Sequence, residues 1–308
     1  MADAPASPSP TEYAPTADTW DHVVRAVGHM GYAGAAAALM RATREHAHDA
    51  ELLWLTRAVR GGGQRETLLA RAARWLDVVR VGEILAACPT PASRAELLTC
   101  GDRLDQTALH WACDPRDTDD EPVTLELVEL LLGAGADPRA RARYTDSDNE
   151  FQPIHRAARW SARLVQRLVQ AGASIDGDVE GFSTLRHAAV AHTVLSVRML
   201  PALVALGARE MLGGAVMHAF AANPVEGLPP FDGEVAAALK ALVGVGCSLT
   251  QPDEGGDSPL DWAAGSGNKA VVRALLAQGV VATPKSLELA TASAHPGIVR
   301  LLLEVLRS

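Results

Sequence analysis

Lysine is nearly missing from this chain of 308 residues: Lys240, Lys269 and Lys285 are all there are, within 28 basic residues opposed by 37 acidic ones. The net charge of −9 gives no general attraction to phosphate backbones or anionic lipid surfaces, so nucleic acid and membrane are not expected partners. No run of about 18 apolar residues occurs, which excludes a spanning helix of the usual kind. Aromatic residues are scarce at 4%, although 48% of the chain is hydrophobic. The core must therefore come from Ala, Leu and Val, a composition suited to closely packed helices. The four cysteines, Cys88, Cys100, Cys113 and Cys247, show no CxxC spacing and fall near apolar helical positions, as buried free thiols do. Thiols of that kind belong to a reducing compartment, and no basic stretch leading into an apolar core opens the chain, so the expected location is cytoplasmic. The preference for Arg over Lys, with abundant Ala, is the signature of a GC-rich bacterial source.

Motifs that carry chemistry are also lacking. There is no phosphate-binding Gly loop, no GxSxG and no HExxH. Two of the ten histidines, His46 and His48, lie two apart, a spacing that points them away from each other on a helix. No catalytic residue, metal site or cofactor is assigned.

What the chain does have is internal repetition. Asp253 to Ala282 reads DEGGDSPLDWAAGSGNKAVVRALLAQGVVA: a turn, a short helix started by Ser258-Pro259, a Gly-bounded connection, and a longer helix ended by Gly279. Asp253, Gly256, Ser258, Pro259, Leu260, Ala263, Ala264, Gly267, Val271, Val272, Leu275, Leu276 and Gly279 sit at the fixed spacing of DxxGxTPLHLAAxxGHxxVVxxLLxxGA, so the stretch resembles one ankyrin repeat. The same pattern returns in DRLDQTALHWAC with LVELLLGAGAD, in QPIHRAARW with LVQAGASID, and in DVEGFSTLRHAA with LVALGA. It returns more faintly in AVMHAFAA with VAAALKALVGVGC and in LELATASAHPGIVRLLLEVL. Starts at Thr107, Gln152, Ser183, Gly214, Ser258 and Lys285 lie 45, 31, 31, 44 and 27 positions apart. A period near 33 with two long intervals is what loop insertions in a solenoid produce.

The expected fold is all-α: an ankyrin-repeat solenoid of stacked helix–turn–helix units with a helical N-terminal region. Residues 1–17, rich in Pro, Ala and Ser, are expected to be a disordered tail. Residues 18–100 form a helical N-terminal region or cap, with a possible divergent repeat at 66–88 that has Leu76 where the pattern has Gly. Residues 101–308 hold five to six repeats. His110 and His155 fall at the family's structural histidine, where the resemblance implies a hydrogen bond to neighbouring turns. Trp111 and Trp262, one position further on, are expected to pack rather than to bind.

The resemblance implies a monomeric protein–protein interaction module, an adaptor or inhibitor, that holds a protein partner through its concave face and turn tips. A structural scaffold docking through the N-terminal region and an enzyme of unknown reaction are the alternatives. Carried over position by position, the candidate partner-binding residues are Arg103, Arg139, Arg141, Arg143, Tyr144, Phe151, Arg156, Arg159, Trp160, Phe182 and His187. Aromatic rings and Arg are favoured interface anchors, and the arginines of the RARARY loop suit an acidic partner. In the best-formed repeat the equivalent places hold Gly255, Gly265 and Ser266, which offer a partner little. That repeat is read as the register mark and stability anchor of the stack, with recognition one to three repeats earlier.

Overall fold

Helices in this chain begin where a polar side chain can meet backbone N–H groups that have no partner of their own. In the computed structural model Thr67 Oγ1 accepts from Ala70 N at 3.0 Å, Ser183 Oγ from Arg186 N at 3.1 Å and Asn268 Oδ1 from Val271 N at 3.3 Å. The structure describes residues 67–86, 88, 90–114, 118–143, 150–177, 179, 183–191, 193–209, 215–224 and 232–307. The expected tail at 1–17 and the helical stretches expected over 18–60 lie outside them, as do Tyr144 and Phe182.

The chain divides into two compact units, Met1–Asn149 and Glu150–Ser308. The first unit contains α1 (Leu68–Arg74), α2 (Val78–Ala86), α3 (Pro91–Thr99), α4 (Ala108–Ala112), a 3-10 turn at Thr118–Asp120, α5 (Glu121–Gly133) and the two-residue strand β1 (Ala142–Arg143). Helix α1 packs beside α4 and α2 beside α5, so the first hairpin is laid against the next as one repeat is laid against another. Leu76, at the connection between α1 and α2, takes the left-handed conformation with φ 54°, where Gly267 of the best-formed repeat has φ 84°. A Cβ disfavours that region by about 1–2 kcal/mol. Asp77 then caps α2, its Oδ1 accepting from Arg80 N at 3.0 Å.

The second unit opens with β2 (Glu150–Phe151) and continues, among the described residues, through five hairpins. They are α6 (Pro153–Ala157) with α7 (Ala162–Gln170), α8 (Thr184–Ala189) with α9 (Val194–Ala205), α10 (Ala215–Ala222) with α11 (Asp232–Gly244), α12 (Pro259–Ser266) with α13 (Lys269–Ala277), and α14 (Pro284–Ala292) with α15 (Pro296–Arg307). The short helices pack in sequence, α6 on α8, α8 on α10, α10 on α12 and α12 on α14; the longer helices do the same from α7 to α15. Burial is therefore shared between neighbours along two rows, which is why each repeat needs the next.

The faint repeat α10/α11 earns its place in this way. Val216, Met217, Phe220 and Ala221 of α10 and Val235, Ala238, Leu239 and Leu242 of α11 are buried. Asn268 ties α13 to the end of α10: its Nδ2 donates to Phe220 O at 3.3 Å, Ala221 O at 3.3 Å and Asn223 O at 3.0 Å. The last repeat begins two residues before the expected Lys285. Thr283 caps α14, whose first residue is Pro284, and Ser286 Oγ accepts from Thr283 N at 3.1 Å.

Among the described residues the protein is thus all-α apart from two short strands, and the helices form stacked hairpins of the expected kind. All four cysteines are free, and Cys88, Cys113 and Cys247 are buried. Burial pushes the Cys88 thiol up to about 11, well away from the reactive thiolate.

Candidate functional site

The turns between hairpins carry the candidate residues, and their geometry starts from an aspartate. In the first unit Asp102 Oδ1 accepts from Leu104 N at 2.8 Å and from Gln106 N at 3.0 Å, and Asp105 closes the turn with φ 62°. The equivalent turn of the second unit uses Asp253, whose Oδ1 accepts from Asp257 N at 2.9 Å, with Gly256 at φ 77°. A side-chain carboxylate substituting for a backbone acceptor is what lets so tight a turn satisfy its donors.

The first unit gathers its arginines at this turn. Arg143 N donates to Leu104 O at 2.8 Å, and its guanidinium donates to Arg103 O at 3.0 Å and pairs with Asp105 at 3.3 Å. The 142–143 segment is thus pinned to the 102–106 turn. Alternation along it buries Ala142 and exposes Arg141 and Arg143, as extended backbone requires. Arg103 and Arg139 are exposed as well; Asp137 Oδ1 holds the Arg139 backbone N at 2.8 Å.

In the second unit the expected constellation is only partly on the surface. Phe151 is 0% exposed, with the Arg156 guanidinium 5.0 Å over its ring. It is a core aromatic, not an anchor for a partner. His187 is 1% exposed and meets His155 edge-on, ring centroids 5.9 Å apart. Desolvation by burial, then the charges of His155, Arg159 and Arg156, hold its pKa well below the ordinary value. It is a neutral interior group, so it is corrected from surface contact to core. Arg156, Arg159 and Trp160 are half-buried and retain accessible area.

Each histidine at the fourth motif position accepts a bond within its own turn through Nδ1. His110 Nδ1 accepts from Thr107 N at 3.1 Å, and His155 Nδ1 from Gln152 N at 2.9 Å. Asp261 does the same work in its repeat, with Oδ2 accepting from Ser258 N at 3.0 Å and Ser258 Oγ at 2.7 Å. A ring nitrogen and a carboxylate oxygen are interchangeable here because the turn asks only for an acceptor.

The two tryptophans one position later differ. Trp111 is half-buried beneath Arg74, whose guanidinium lies 4.5 Å from the ring centroid. Trp262 is 41% exposed, and its Nε1 donates to Asp253 Oδ2 at 2.8 Å. Beside it Asp257, Asp261, Gly265, Ser266 and Leu289 complete a cleft of about 330 Å³. Reading Gly265 and Ser266 as residues with little to offer missed it: their smallness leaves the space open. The nine-residue interval from the turn Asp to an aromatic was the signal available.

Among the described residues no three His, Cys, Asp or Glu side chains are grouped to hold a metal, and no helix is long and apolar enough to cross a membrane. No curated protein matches the chain. The ankyrin repeat family model matches residues 104–143 and 255–285, the first over the arginine-bearing turn and the second over the Trp262 repeat. Such repeats are generally protein–protein interaction modules and typically non-catalytic. The matched stretches, set in hairpins that stack row upon row, make this an ankyrin-repeat protein.

Proposed function

We propose that the chain is a cytoplasmic, monomeric adaptor or inhibitor that binds a protein partner through its concave face and turn tips, without chemistry of its own. The array is taken as 101–308, with 18–100 as helical region and cap. In the first unit the binding residues are Arg103, Arg139, Arg141 and Arg143, continued by Tyr144; in the second they are Arg156, Arg159 and Trp160, continued by Phe182. The observation that carries this reading is the pinning of Arg143 to the Arg103 turn, N to Leu104 O at 2.8 Å and guanidinium to Arg103 O at 3.0 Å. It holds exposed guanidinium groups together on a short, ordered edge, and Arg is suited to carboxylates because its planar fork meets two oxygens at once.

The test is affinity capture from cells of the source organism, comparing the full chain with its Arg103→Ala/Arg141→Ala variant. A protein captured by the native chain should fall about tenfold in recovery with the variant, as loss of interface anchors does. Circular dichroism should be unchanged, because both side chains are exposed. Equal recovery by the two chains would remove this edge from the interface.

A further inference from the structure

The cleft beside Trp262 combines three things that together select a ligand class. The first is an indole presented to solvent. Trp262 is 41% exposed, yet it is not free to turn away, because Nε1 is tied to Asp253 Oδ2 at 2.8 Å. A ring fixed by its edge offers its face, and an indole face is the best side-chain surface for a cation.

The second is negative charge set around that ring. Asp257 and Asp261 line the cleft, and Asp253 is kept ionised, its pKa lowered first by the backbone hydrogen bond from Asp257 and then by that from Trp262. This rim already draws in one cation of the chain itself. Lys285 Nζ lies 2.8 Å from Asp257 Oδ1 and donates to Gly256 O at 2.8 Å.

The third is an apolar wall with room in front of it. Leu289 and Gly265 pack so closely that a Cβ on Gly265 would touch Leu289 Cβ at 3.7 Å, and the cleft of about 330 Å³ opens beside this contact. A long aliphatic stem fits such a wall while its charged head stays at the rim. Indole, carboxylates and an aliphatic wall together match a side chain that is apolar along its stem, cationic at its tip and flat enough to stack; that is arginine rather than lysine. The chain's net charge of −9 favours the approach of a basic segment.

We propose that the cleft between α12 and α14 receives an arginine side chain of a protein partner, stacked on Trp262 and paired with Asp257. This rests on the reading of the array as a protein-binding module and names a partner chemistry for its second unit. Lys285 then acts as a resident competitor for Asp257.

The probe is a blocked Gly-Arg-Gly tripeptide titrated into the full chain, with the Trp262 indole N–H followed by NMR and assigned through Trp262→Phe. Its citrulline and lysine counterparts serve as controls of equal length. The arginine peptide should shift the Trp262 signal saturably, with Kd on the order of 1 mM, and the citrulline and lysine peptides should bind at least about tenfold more weakly. Asp257→Asn should weaken the arginine peptide about tenfold, and Lys285→Ala should strengthen it several-fold by removing the competitor. Citrulline or lysine binding as well as arginine, or no movement of the Trp262 signal, would overturn the proposal. Because these controls use the native chain, the outcome does not depend on a variant folding. Equal recovery by the native chain and its Arg103→Ala/Arg141→Ala variant, with peptide binding intact, strikes the arginine edge of the proposed function; an unmoved Trp262 signal with the capture difference intact strikes the cleft alone.

Discussion

At the scale of single residues, position in the motif told the role of a side chain better than its chemistry did. His187 carries a titratable ring and Phe151 a large one, and both were expected at the surface; both are buried. For His187 the consequence is measurable. Its folded pKa is held well below the ordinary 6.5, chiefly by desolvation, so the unfolded chain takes up a proton that the folded chain refuses. Its contribution is fully present above about pH 6.5 and is lost progressively as pH falls below that value toward the folded pKa. Thermal unfolding followed from about pH 7 to about pH 5 should show a falling midpoint. His187→Gln should flatten that slope by up to about 1.4 kcal/mol per pH unit, and an identical slope in the variant would show that the ring is not the source. That burial was not legible beforehand, because the same spacing from Ser183 through Leu185 to His187 would serve an exposed ring; the charges that act on it, His155, Arg159 and Arg156, come from the preceding repeat.

At the scale of elements, the helix starts were legible and the ties between hairpins were not. Thr67, Thr107, Ser183 and Ser258 announce their helices by type and place. Thr283 was passed over in favour of Lys285, since the shortened interval from Ser258 hid a start signal, Thr-Pro, that is itself ordinary. Asn268 shows what local signals leave out. Its Oδ1 caps α13 while its Nδ2 serves three carbonyls at the end of α10, the nearest partner 45 residues away in sequence. Asn268→Ala should therefore cost about 1–3 kcal/mol, the sum of a lost cap and unpartnered carbonyls. Denaturant titration would register this as a lower midpoint, and Asn268→Ser, which restores only the cap acceptor, should recover part of it. Full recovery with Ser would mean that the reach to α10 contributes nothing.

At the scale of the whole molecule, a stack has no separate core for each repeat, so damage spreads to neighbours. Leu260 is 1% exposed in α12, which lies between α10 and α14 in the row of short helices. Leu260→Ala should destabilise by about 2–5 kcal/mol. Hydrogen exchange should then quicken in α10, α11, α14 and α15 as well as in α12 and α13; quickening confined to α12 and α13 would mean the hairpins fold independently. Sequence alone determined that the protein is helical, that it is built from ankyrin repeats, and that Thr107, Gln152, Ser183 and Ser258 begin four of them, because spacing, caps and left-handed glycines are local demands met within a few residues. Tertiary structure decided which of the marked side chains reach solvent. Exposure depends on what the next hairpin covers, and so Phe151 and His187 went into the interior while Trp262, expected to pack, was left facing outward over a cleft that two small residues keep open.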